Sequence, residues 1–155
     1  MIRRRELIAA LGGAAALPLA VRAQQGNRVR RIGLLPSGDE NDPEVKPRLS
    51  AFTQGLADLG WTDGRNVRID LRWGRGDANR MRALAQELVG LQPDIIVTNA
   101  GPAIVALQLD TPTIPIVFAN VADPVAIGIV PGLNRPGGNI TGFANLEASL
   151  GGKWA

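Results

Sequence analysis

The chain reads as an α/β protein, a parallel sheet with helices on both faces. Three observations predict it. Short runs rich in Val, Ile and Leu alternate with longer stretches whose apolar residues recur every three or four positions. Most of the short runs end in clusters of Gly, Pro, Ser or Asn. The stretch between most successive runs is long enough for one helix, as β-α-β crossovers joining parallel neighbours require.

Val29 to Leu35 forms a first strand meeting a turn at Pro36-Ser37-Gly38. After the polar segment GDENDPEV, Lys46 to Leu59 carries Leu49, Phe52, Leu56 and Leu59 on one helical stripe. Gly60 stops that helix, with Trp61 packing behind it. Asn66 to Trp73 alternates Val67, Ile69, Leu71 and Trp73 against Arg68, Asp70 and Arg72, a strand with one buried face. Gly74-Arg75-Gly76 turns the chain. Asp77 then caps a helix striped by Met81, Leu84, Leu88 and Leu91, and Gln92-Pro93-Asp94 breaks it. Ile95-Ile96-Val97 is a β-branched run, expected to be covered on both faces. Asn99 to Pro102 turns into a third helix, Ala103 to Leu109. Ile116 to Ala119 is a buried strand, and Asn120 to Pro124 is the loop at its carboxyl end. Val125 to Val130 is a short helix or turn, and Ile140 to Phe143 is a fifth short strand.

Residues 1–23 precede this alternation and have another character. Arg3, Arg4 and Arg5 form a positive start, Leu7 to Val21 is free of charge, and Ala23 offers a small side chain before polar Gln24. This order marks a secretory signal. Its apolar run is shorter than the ~20 residues that span a bilayer. Arg4-Arg5-Glu6-Leu7-Ile8 fits the twin-arginine pattern. The expectation is a protein handed to the export machinery, cleaved after Ala23 and released into the periplasm.

Composition narrows function. Removing residues 1–23 leaves 13 basic and 13 acidic residues, so the net charge of +3 belongs to the signal and no nucleic-acid partner is expected. The arginines between Arg65 and Arg82 are interleaved with Asp63, Asp70, Asp77 and Glu87, which predicts a salt-bridged face rather than an anion patch. The chain has no His, Cys or Tyr. A Ser-His-Asp triad, a thiol nucleophile and a His/Cys metal site are thereby excluded within it. No catalytic residue, metal or cofactor is expected, and the fingerprint Gly-x-Gly-x-x-Gly does not follow the first strand.

In an open parallel sheet, ligands bind beyond the carboxyl ends of the strands. The loops there are Pro36-Ser37-Gly38, Gly74-Arg75-Gly76, Thr98 to Ala103 and Asn120 to Asp123. Asn99-Ala100-Gly101-Pro102-Ala103 allows close backbone approach, and the amides of Ala103 and Ile104 would face a carboxylate at a positive helix start. The same residues also suit a plain strand-to-helix turn. Ser37 is a ligand contact or a turn residue. Asn120 and Asp123 bind a polar ligand or build an Asx turn before Pro124. Trp61 and Trp73 suit packing better than stacking.

The segments IGLLPSGDE, LADLGWTDGRNVRIDLRWGRGD, PDIIVTNAGPAIVALQ, TPTIPIVFANVADPVAIGIV and NRPGGNITGF, in that order behind the signal, resemble the ABC transporter substrate-binding proteins of the tryptophan/tyrosine-binding type. The resemblance implies the type I periplasmic-binding fold, in which two α/β lobes close on a ligand. It implies a first ligand-binding lobe at residues 28–143, with residues 144–155 as the truncated start of a crossover to a missing second lobe. It also implies a small-molecule ligand such as an amino acid or carboxylate, and an ABC permease and ATPase as membrane partners. Ligand contacts carried over are Ser37, Asn99, Ala100, Gly101, Pro102, Ala103, Asn120 and Asp123. Relatives often have Gly-Thr-Pro-Ala where this chain has Ala100-Gly101-Pro102-Ala103, so a threonine hydroxyl is absent beside the proline. Two other readings remain at this stage: an exported α/β enzyme acting on a sugar or nucleotide through Asp123 and Asn120, and the ligand-sensing lobe of a regulator.

Overall fold

Residues 28–146 are described by the computed structural model. Their alternating pattern becomes β1 (Arg30–Leu35), α1 (Val45–Asp58), β2 (Val67–Leu71), α2 (Ala78–Gly90), β3 (Ile95–Thr98), α3 (Gly101–Asp110), β4 (Ile116–Ala122) and β5 (Ile140–Leu146). The signal reading, with Arg4, Arg5 and Ala23, lies outside the described residues, as do residues 147–155. No helix among the described residues is long and apolar enough to cross a membrane.

The five strands are all parallel, in the order β2-β1-β3-β4-β5. From β1 the chain moves one way along the sheet to β2, then the other way to β3 and β4. Right-handed crossovers therefore place α1 on one face and α2 with α3 on the other. The expected α/β architecture is what forms.

The two faces are unequally filled. Leu35, Met81, Ala85, Leu88, Ile96, Ile104, Leu107 and Phe118 pack one continuous core between the sheet and α2 with α3. On the α1 side only Val45 of the helix is buried; Leu49, Phe52 and Leu56 are half-buried and Leu59 is 78% exposed. The stripe forms a helix as its period requires, but it seals only part of the sheet. For the same reason Ile95 and Val97 are half-buried rather than covered on both faces, while Ile96 between them is fully buried.

The helix ends follow local chemistry. Asp77 accepts from the Arg80 N–H and caps α2. Gly60 (φ 86°) ends α1 in a Schellman motif, with the Gly60 N–H donating to Ala57 O and the Trp61 N–H to Leu56 O. Two strands run longer than expected. β4 takes in Asn120 to Ala122, and β5 continues three residues past Phe143. The link between them folds over α3: Ile129 and Val130 are buried, and Gln108 Nε2 donates to Ile129 O at 2.9 Å.

Candidate functional site

The direction of travel reverses at β1, whose neighbours β2 and β3 are reached on opposite faces. The crevice outside the carboxyl ends at such a switch point is where an open sheet takes a ligand. Here the loops are tied together. Asn99 Oδ1 accepts from the Ser37 N–H at 2.8 Å, joining the loops after β3 and β1. Ser37 O accepts from the Gly76 N–H at 2.7 Å and Pro36 O from the Gly74 N–H at 3.0 Å, joining the loop after β2. Thr98, fully buried, donates its Oγ1 to Leu35 O at 2.7 Å and accepts from the Ala100 N–H at 3.1 Å. Satisfied buried polar groups of this kind hold the loops in one arrangement.

Asn120 reaches the same place by a different route. The β4–β5 register shifts between Ala119 and Val121, a bulge, and Asn120 sits there at φ 58°. Asn accepts the left-handed region more readily than most residues, and bulges re-aim side chains beside binding sites. Asn120 and Asn99 consequently border one cavity of about 140 Å³ between the sheet and α1. Leu34, Val97 and Ala119 from the sheet and Val45, Leu49 and Phe52 of α1 make its apolar walls. Arg48 also lines it, with its guanidinium paired to Glu44 at 3.0 Å. An apolar chamber bordered by two carboxamides and a guanidinium suits a ligand with an apolar body and a polar end. The half-filled α1 face creates it, which is why the helical stripe gave no sign that Leu49 and Phe52 would line a cavity.

The remaining candidates fall elsewhere. Ser37 borders a separate polar recess with Asp39, Asp42 and Arg75. Ala100 and Ala103 are buried. Gly101 and Pro102 line a groove over α3 together with Arg82 and Leu109. At the start of α3 the Ile104 N–H donates to Ala100 O at 3.0 Å, so it is not the free donor expected there. Asp123, at φ 40°, accepts from the Ala126 N–H at 3.0 Å, the turn-building role of an Asx residue.

Beyond the Arg48–Glu44 pair, several arginines are tied to carboxylates. Arg31 pairs with buried Asp70 at 2.5 Å and donates to Leu91 O. The side-chain hydrogen bond from Arg31 holds Asp70 below the usual carboxylate range, against the opposing effect of burial. Asp94 is lowered chiefly by the Arg31 backbone N–H, with Arg30 and Arg28 beside it. Of the clustered arginines, Arg68 pairs with Asp70, Arg72 with Glu87 and Arg75 with Glu40. Arg65 and Arg80 instead donate to the backbone carbonyls of Gly60 and Trp73, so the expected salt-bridged face forms in part. Among the described residues no group of acidic side chains is placed to hold a metal ion.

Comparison with known proteins adds to this geometry. A family model described as ABC transporter substrate binding protein matches residues 41–149. The tyrosine-binding protein of Clostridioides difficile (strain R20291) is 33% identical over 103 residues, 66% of this chain and 30% of that protein. A solved ABC domain from Streptococcus pneumonia, in complex with L-Trp, is 30% identical with a TM-score of 0.67, over 74% of this chain and 38% of that one. The ligand-free, open structure of a substrate binding protein with adhesive properties from Clostridium difficile is 28% identical with a TM-score of 0.70, over 77% and 40% of the two chains. This chain spans less than half the length of these relatives.

Proposed function

We propose, from the premise that this chain belongs to the ABC transporter substrate binding protein family, that it is an exported solute-binding lobe for a small amino acid with an apolar or aromatic side chain. The ligand's apolar body enters the chamber under α1 and its charged end meets Asn99, Asn120 and the Arg48 guanidinium. The observation that carries this reading is the β4 bulge, which sets Asn120 beside Asn99 at one apolar chamber. The relatives named for tyrosine and solved with L-Trp support an aromatic ligand. The role we infer is binding, as the name of the tyrosine-binding relative supports; Asp123, on which an enzyme reading depends, accepts from Ala126 in a turn.

The same reading makes residues 1–23 an export signal cleaved after Ala23, places the mature protein in the periplasm, and gives it a membrane permease and ATPase as partners. Residues 28–146 form the first lobe and supply one side of the ligand site.

Calorimetric titration with L-tryptophan and L-tyrosine tests the site. Asn120→Gly removes the carboxamide while keeping the backbone at a φ that glycine adopts freely. Loss of one hydrogen bond to a charged ligand group is worth about 1.5–3 kcal/mol, so binding should weaken about tenfold or more with the thermal midpoint little changed. Equal affinity of the variant and the parent would remove Asn120 from the site.

A further inference from the structure

The face formed by α2, α3 and the turn after β4 carries features that the lobe itself does not use. α3, with the sequence GPAIVALQLD, is apolar on nearly every side. Ala103, Ile104, Ala106 and Leu107 are buried against the sheet and α2, while Val105 is 50% and Leu109 82% exposed. Pro102 is exposed on the same stripe, and Ile127 from the turn adds a side chain that is 56% exposed. A helix that is apolar all round ordinarily has cover all round. These residues border a groove of about 470 Å³ that Arg82 of α2 and Asp110 of α3 also line. Asp110 Oδ2 is buried without a hydrogen-bond partner, and among the described residues Arg82 makes no ion pair.

We propose that this face is a two-fold self-association surface, on which α3 packs antiparallel to α3 of a second copy and Asp110 of each copy pairs with Arg82 of the other. The topology supplies the complementarity. α2 and α3 both return against parallel strands, so they run side by side in one direction. Arg82, the fifth residue of α2, lies toward the start of α3, and Asp110 is the last residue of α3. A two-fold axis near Val105 and Ala106 therefore brings cation to carboxylate at both ends of the contact at once, the self-complementarity an isologous interface needs. It also sets each Asp110 near the positive end of the opposing helix. Asp110 is half-buried and lines the groove, so its carboxylate can meet a guanidinium seated there, a well-shaped partner for it. Between the two ion pairs, Val105, Leu109 and Ile127 supply the apolar centre. The surface lies on the sheet face opposite α1, so the ligand chamber stays open in the dimer.

Sedimentation velocity over a dilution series tests the proposal with the full chain. The parent should sediment at twice the monomer mass when concentrated and dissociate on dilution. Arg82→Glu alone and Asp110→Lys alone should each be monomeric. Mixed in equal amounts they should dimerise again, because a heterodimer of the two restores an opposite-charge pair at both ends. Val105→Lys, at an exposed position, should be monomeric with an unchanged thermal midpoint, so the proposal remains testable if Asp110→Lys does not fold. A parent that is monomeric at every concentration overturns the proposal. So does a Val105→Lys variant that still dimerises, or a mixture of folded single variants that stays monomeric.

Discussion

Asp70 is a buried carboxylate kept ionised by arginine, and that makes it an acid-sensitive residue of the lobe. Its folded pKa lies below its unfolded one, so its contribution is present above the unfolded pKa of about 3.9 and is lost as pH falls through the folded value. Asp94 has the same sign, chiefly through the Arg31 N–H at 2.8 Å. Urea midpoints are therefore expected to be flat near neutral pH and to fall below about pH 4. Asp70→Asn should lower stability by about 1 kcal/mol at pH 7, because Arg31 remains partly in water, and should make the acid decline shallower. An acid decline identical in variant and parent would contradict this. The sequence foretold pairing among the clustered charges, and Arg68, Arg72 and Arg75 do pair. That Arg31, far from the cluster, takes Asp70 depends on the alignment of β1 with β2, which charge spacing does not encode.

At the scale of elements, β5 depends on a glycine. Gly142 lies in register with Phe118 of β4, and a Cβ there would overlap the Phe118 carbonyl oxygen and ring. The missing side chain lets Phe118, 1% exposed, lie close against the neighbouring backbone. Gly142→Ala should therefore destabilise the lobe by about 1–3 kcal/mol through overpacking, read as a lower urea midpoint with an unchanged slope. Local patterning located this strand but ended it early. Ala144 and Leu146 are strand residues because Val121 and Ala122 extend beside them past the bulge at Asn120. The helices were more legible, since caps such as Asp77 and stops such as Gly60 act within a few residues of themselves.

For the whole molecule, the chamber under α1 is small. About 140 Å³ is below the ~300 Å³ at which ordinary small-molecule sites begin, and its mouth borders exposed Asn120. A chain spanning 38% of the L-Trp-bound relative is expected to enclose only part of a ligand. Each Å² of apolar ligand surface left in water forfeits ~25 cal/mol. Titration of these 155 residues with L-tryptophan should thus give an affinity at least ~tenfold weaker than that of the full-length relative under the same conditions. Equal affinity would mean that this lobe alone makes the site.

Taken by itself, the sequence determined the α/β class, the existence and order of the strands and helices, and the loops able to meet a ligand. Hydrophobic period, capping residues and turn residues act over a few positions and can be read locally. Only the tertiary structure decided that the α1 face is half-filled, that Ser37 is bonded to Asn99, that Asn120 borders the same chamber as Asn99, that Gly101 lines a groove over α3, and that Asp123 accepts from Ala126 in a turn. These outcomes depend on strand register and on contacts between residues tens of positions apart. A one-residue slip in pairing moves a side chain to the opposite face of a sheet, and no local pattern carries that information.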